Sequence, residues 1–271
     1  MSVVTERASS GLTVDIGGLP IRLSSDDRGY LAQLERRFSG FTHGSPDPLL
    51  EFELVLAAPD AGIDPDDEVR VSKRGGRWSI ERSDCCATFD VESRRGTIRQ
   101  PPSPYATDSV LRILHTLLLA ERGGALMHSA SAVRNGRAHL FFGPSGAGKS
   151  TMVGMAPEDA TLLSDEVSYI RRGSDGYVAC GTPFTGELER VGANTSAPLA
   201  GLYRLVQGAD HRLEPMSTAD AARSVLECVL CFAADPLVVK RVFTAACDLV
   251  TRVPVQTLVF RRDQGAWDLI A

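Results

Sequence analysis

Aromatic residues make up only 6% of this 271-residue chain, with two tryptophans, and basic residues are outnumbered by acidic ones, 29 to 34. A net charge of −5 and a pI near 5.6 disfavour a dedicated nucleic-acid binder, so a polyanionic partner is expected to be a nucleotide rather than DNA or RNA. No apolar run approaches the ~18 residues that cross a bilayer, and the opening MSVVTERASS lacks the charged and apolar regions of a secretory signal. No membrane association and a cytoplasmic location are therefore expected. Six cysteines stand at 85, 86, 180, 228, 231 and 247, and the adjacent pair is poorly placed to bridge itself, which predicts reduced thiols. Cys228-Val-Leu-Cys231 has no second C-x-x-C or histidine pair to complete a zinc site, and its apolar setting predicts buried thiols on a helix face. Internal repeats and low-complexity segments are absent as well.

What is present is organised in two parts, a small β-rich module over residues 1–102 and a larger domain over 103–271. In the module, alternation predicts strands at 12–16, 21–23 and 50–56, and apolar spacing predicts a helix over 27–38. Strands at 68–72 and 78–81 flank Arg74-Gly75-Gly76-Arg77, and strands at 87–91 and 97–99 flank Arg94-Arg95-Gly96, which reads as two hairpins. Trp78 is expected as a half-buried strand aromatic, and the arginine pairs as solvated hairpin tips. Ser103-Pro104 opens a helix that stops at Gly123-Gly124 and carries His115, read as a packed or exposed helical histidine. Strands at 125–133 and 137–142 enclose Asn135-Gly136, the strongest short hairpin signal. Beyond them come a short helix from 149, strands at 160–163, 167–172, 177–180 and 199–206, helices at 218–231 and 236–250, and a strand at 255–260.

Between the apolar run 138–142 and the helix that follows lies Gly143-Pro144-Ser145-Gly146-Ala147-Gly148-Lys149-Ser150-Thr151, which fits G-x-x-x-x-G-K-[ST]. Such a loop turns several backbone N–H groups toward one anion, with the positive end of the next helix behind it. Lys149 would reach the β and γ phosphates of ATP, and Ser150 would hold Mg²⁺. Asp165 and Glu166 close the strand at 160–163, sixteen and seventeen residues after Lys149. One carboxylate there can hold the metal while the other takes a proton from an attacking hydroxyl. Transporter-type ATPases place such a pair far downstream of the phosphate loop, after an L-S-G-G-Q-like signature, which this chain lacks. His128 lies fifteen residues before Gly143 on the strand paired with the one feeding the loop, so it can reach the same sheet edge as an acid, a base or a stabiliser of charge.

Met127-His128, the hairpin, G-P-S-G-A-G-K-S-T and L-L-S-D-E-V together resemble the catalytic core of the HPr kinase/phosphorylase family and, more distantly, ATP-dependent phosphoenolpyruvate carboxykinases, over roughly 125–205. The resemblance implies an α+β fold whose phosphate loop rides on a mainly antiparallel twisted sheet with flanking helices, and phosphoryl transfer to a protein serine. It implies roles for His128 near the phosphates, for Lys149 and Ser150 at nucleotide and Mg²⁺, for Asp165 in activating the acceptor, and for Glu166 on the metal side. Ring-like homo-oligomers occur in that family. Thr151 stands where its members usually carry glutamate, and the segment used for phosphorolysis is matched at most by Arg190-Val-Gly-Ala-Asn194. The N-terminal module is unlike that of the sugar-regulatory enzymes, and the loop from Gly181 to Glu187 resembles relatives that modify peptides. The expectation is an ATP- and Mg²⁺-dependent kinase acting on a serine or threonine of a peptide or protein, such as a lasso-peptide precursor. The alternatives are a nucleotide-binding regulatory module with reduced catalysis and a small-molecule kinase.

Overall fold

A computed structural model describes residues 10–42, 47–58, 69–82 and 84–270. Glu68, at the start of the strand expected over 68–72, and the first nine residues lie outside the described residues. The chain divides into two compact units, Met1–Leu111 and Arg112–Ala271.

The first unit holds β1 (Ser10–Ile16), β2 (Leu19–Ser25), α1 (Arg28–Arg37), β3 (Leu50–Leu56), β4 (Arg70–Arg74), β5 (Arg77–Arg82), β6 (Cys85–Asp90) and β7 (Arg95–Gln100), in the sheet order β1-β2-β3-β7-β6-β5-β4. The pairings β2–β3 and β3–β7 are parallel and the others antiparallel. Alternation in Leu50–Leu56 buries Leu50, Phe52 and Leu54 on one face. Asp27 starts α1 by accepting the Tyr30 N–H at 2.9 Å. Trp78 is buried rather than half-buried, stacked on Phe89 at 6.5 Å; the hairpin-tip arginines 74, 77, 94 and 95 are exposed. The helix α2 (Pro104–Glu121) begins in this unit. Its first turns are tied there by Tyr30 Oη against Thr107 Oγ1 (2.8 Å), by Gln100 Nε2 donating to Thr107 Oγ1 (2.9 Å), and by the Arg37–Asp108 ion pair. The division consequently falls inside α2 and not ahead of it.

The second unit contains β8 (Ala125–Arg134), β9 (Arg137–Phe142), α3 (Lys149–Gly154), β10 (Thr161–Ser164), β11 (Val167–Gly173), β12 (Gly176–Cys180), β13 (Ser196–Gln207), β14 (Arg212–Pro215), α4 (Thr218–Leu226), α5 (Pro236–Arg252), β15 (Val255–Phe260) and a 3-10 turn at Gln264–Leu269. Two long strands organise its sheet. Ala125–His128 of β8 pair with β11, while Ser129–Arg134 pair with β9. Likewise, β13 meets β12 at its start, β9 in its middle and β15 toward its end. The pairing thereby closes on itself through β8, β11, β12, β13 and β9, and only β13–β9 and β13–β15 are parallel. Consecutive apolar residues in β9 go to opposite cores. Leu140 and Phe142 pack with Leu202, Val225 and Leu249 on the α4–α5 side, and Phe141 packs with Tyr203, Met152 and Trp267 on the α3 side. A strand covered on both faces needs no polar alternation.

The protein is thus α+β, with two mixed sheets and flanking helices. Among the described residues, no helix is long and apolar enough to cross a membrane. The helix expected over 218–231 ends at Leu226, because the next residues pair with the free edge of β8: the Cys228 carbonyl accepts the His128 N–H at 2.7 Å, and the Leu230 N–H reaches the Leu126 carbonyl at 2.9 Å. Cys228 is therefore half-buried and Cys231 exposed, and neither sits on a helix face. β14 and the 3-10 turn have no counterpart among the expected elements.

Candidate functional site

The loop that follows Phe142 bends so that Gly143, Gly146 and Gly148 all take positive φ. Gly148 is the most constrained of them: its φ is +102°, and a Cβ there would lie 2.7 Å from the buried ring of Phe260. From this turn α3 starts, only six residues long and without a side-chain cap. Lys149 is buried to 9% exposure, and its ammonium folds back onto the carbonyls of Gly143 (3.1 Å) and Pro144 (3.3 Å). On the outer side, Gln207 Nε2 donates to the Gly146 carbonyl at 2.9 Å and pins the loop to the end of β13. Ser150 donates its hydroxyl to Glu187 at 3.1 Å.

β10 delivers the acidic pair. Its last residue, Ser164, is buried, and its Oγ accepts the N–H groups of Glu166 (3.2 Å) and Val167 (2.9 Å), which turns the chain directly into β11. Asp165 between them is 2% exposed and accepts two backbone N–H groups, from Gly186 (2.9 Å) and Leu188 (3.1 Å). Burial pushes its pKa up against the opposing pull of those N–H donors. Glu166 points instead to Arg112, with the guanidinium at 2.8 Å and stacked over the Phe184 ring 5.0 Å away. Gly186 is glycine for a local reason, since a Cβ would sit 2.8 Å from the Cβ of Glu166. His128 leaves β8 opposite Val167, and its pKa is lowered first by burial and then by the nearby charge of Lys149, which keeps the imidazole neutral near pH 7.

These groups share one cleft of about 330 Å³. Ser145, Gly146, Gly148, Lys149, Ser150 and Thr151 of the loop line it, together with His128, Asp165, Glu166, Gly186, Glu187 and Arg262. Three expected loop residues stand elsewhere: Gly143 and Pro144 present carbonyls to Lys149 and border a neighbouring cavity, and Ala147 packs into the core beside Phe141 and Met152. Glu187, Arg112 and Arg262 were not among the expected site residues. Glu187 and Arg262 reach the cleft from loops whose path no periodicity encodes, and Arg112, the single arginine of α2, has no motif around it that marks it.

Chemically, the cleft sets a buried ammonium beside carboxylates and a hydroxyl. Among the described residues no three His, Cys, Asp or Glu groups cluster as a metal cage. The oxygens of Ser150, Asp165, Glu166 and Glu187 nonetheless suit Mg²⁺, which takes one or two protein carboxylates and completes its shell with water and phosphate oxygens.

The protein is α+β and brings a glycine-rich loop, a buried lysine and an acidic strand end to one cleft. Residues 106–268 match the model of the family described as ScmC, SynChlorMet cassette protein ScmC. The match covers more than half of the 271 residues, and the chain belongs to this family. No curated protein matches the chain.

Proposed function

We propose that this protein is a cytoplasmic ATP- and Mg²⁺-dependent kinase, with an HPr kinase-like phosphate-loop core, that phosphorylates a serine or threonine hydroxyl of a peptide or protein. The observation that carries this reading is the lining of one cleft by Lys149, Ser150 and Asp165, the last buried and with a raised pKa. In the reaction the acceptor oxygen attacks the γ-phosphorus, the bond from that phosphorus to the oxygen bridging it to ADP breaks, and the hydroxyl proton passes to Asp165. Lys149 exchanges its two carbonyl partners for the β and γ phosphates, a charge-assisted replacement for neutral acceptors. Ser150, with Asp165 or Glu166, would hold Mg²⁺, which offsets phosphate charge when bound. Neutral His128 donates a hydrogen bond to the transferred group, and Arg112 fixes the direction of Glu166.

Incubating the protein with labelled ATP, Mg²⁺ and serine-containing peptides tests the proposal. Label transfer that Asp165→Asn abolishes supports it, and transfer to free serine or a metabolite instead points to a small-molecule kinase. A regulatory nucleotide-binding module is the second reading. It is favoured by one observation, that both oxygens of Asp165 are already engaged by the Gly186 and Leu188 N–H groups. Tight ATP binding without transfer to any peptide would select it.

A further inference from the structure

A second cavity, of about 430 Å³, opens on the α4 side of the glycine-rich loop. It shares His128 and Ser145 with the cleft that holds Asp165, so the two spaces adjoin at these residues. Phe142 and Pro144 give it apolar lining. Its polar groups are the Arg204 guanidinium from β13, the Ser224 hydroxyl from α4 and the Glu227 carboxylate just past that helix. Arg204 is half-buried and, among the described residues, forms no ion pair, whereas Glu227 is exposed and its charge is screened by solvent. A cation drawn partly out of water without a counter-charge is costly, and a ligand that brings an anion recovers that cost.

The geometry points to this cavity as the subsite for the acceptor peptide next to its reacting hydroxyl, with Arg204 receiving an acidic side chain one or two residues from the phosphorylated serine or threonine. This rests on the kinase reading above. Three features favour it. The cavity borders Gly143, Pro144 and Ser145, at the end of the loop nearest the carbonyls that Lys149 now holds, and so next to where the lysine meets the terminal phosphates. An extended peptide advances ~3.3 Å per residue, and the two spaces share His128 and Ser145, so the positions next to a hydroxyl at Asp165 are the ones that lead toward the cavity. The apolar lining of Phe142 and Pro144 suits the body of that side chain, and Ser224 is a donor for its backbone.

The test uses pools of synthetic peptides, each with one fixed serine and one neighbouring position fixed as Asp, Glu, Lys or Arg, incubated with labelled ATP and Mg²⁺. Wild type is expected to label an Asp or Glu pool about tenfold faster than its Lys and Arg counterparts, and Arg204→Glu to invert that order. Equal labelling of acidic and basic pools by wild type, or an unchanged acidic preference in Arg204→Glu, overturns the subsite while leaving the kinase reading in place. Label transfer to no pool at all contradicts the kinase reading itself, and the subsite with it. The affinities of ATP and inorganic tripolyphosphate separate the competing occupant: if Arg204→Glu weakens ATP but not tripolyphosphate, the cavity belongs to the nucleoside and the proposal fails. Should Arg204→Glu not fold, Ser224→Trp, which fills the cavity from α4, is expected to slow labelling of every peptide pool at unchanged ATP affinity, and undiminished labelling would overturn the assignment.

Discussion

Asp165 is a carboxyl held in the protein at the expense of its charged form. Burial raises its pKa, so the group favours folding most when protonated, below the ordinary carboxylate range near ~4, and this contribution is lost as pH rises through the raised folded-state value. Asp165→Asn removes that charge but turns one of the two oxygens that accept the Gly186 and Leu188 N–H groups into a donor, so it should lower stability at pH 7 by about 1–3 kcal/mol at most, while reducing phosphoryl transfer by roughly 10²–10⁴-fold. Phosphoryl transfer that falls only in proportion to the unfolded fraction of this variant, measured by thermal unfolding, would assign the residue a structural role instead. For the wild type the same shift places the acid limb of kcat above pH ~4, because only the ionised carboxylate can take the proton. His128 moves the opposite way. Its lowered pKa predicts an imidazole that loses its proton below the ordinary histidine range, which its proton NMR shifts would report, and a charged His128 at pH 7 would refute its role as a neutral donor.

At the scale of the element, the loop between β9 and α3 depends on one contact that a single methyl group would break. Gly148→Ala places a Cβ against Phe260 at a φ that L residues rarely adopt, costing about 1–2 kcal/mol in backbone strain alone. It should lower the melting temperature and weaken ATP binding together, whereas Gly146→Ala, with nothing within 4 Å of its Cβ, should be the milder of the two in a side-by-side melt. The elements themselves were largely legible in the sequence. Asn135-Gly136 marked the β8–β9 hairpin, and both residues have positive φ; Asp27 marked the start of α1; the alternation of Leu50–Leu56 marked β3. α4 was misread in length because Val225 to Leu230 is apolar at helical spacing, and only the unpaired edge of β8, distant in sequence, draws the chain out of the helix at Leu226. The site was legible wherever a motif fixes local geometry, as for Lys149, Ser150 and Asp165. Glu187 and Arg112 were not, since Glu187 enters the cleft by accepting a hydroxyl at position 150 and Arg112 bears on it only through the carboxylate at 166, each reached across the fold.

For the second unit as a whole, closure of the pairing through β8 and β13 leaves the α3 face of the sheet to be sealed by residues near the end of the chain. Trp267 does this: it is fully buried, meets the Phe141 ring edge-on at 5.2 Å, and donates its indole N–H to the Met152 carbonyl at 3.0 Å. Trp267→Ala should cost about 3–5 kcal/mol and reduce affinity for nucleotide, because α3 and the loop before it rest on that ring. Unfolding curves within about 1 kcal/mol of wild type would show that α3 is held by other contacts.

Calorimetric titration of the intact protein with ATP, with and without Mg²⁺, bears most directly on whether residues 143–151 grip a polyphosphate beside Asp165. Metal-dependent uptake of one ATP per chain, lost in Lys149→Ala while that variant keeps its fold, is the predicted result. Heat indistinguishable from dilution for the wild type, or binding indifferent to Lys149→Ala, would contradict it.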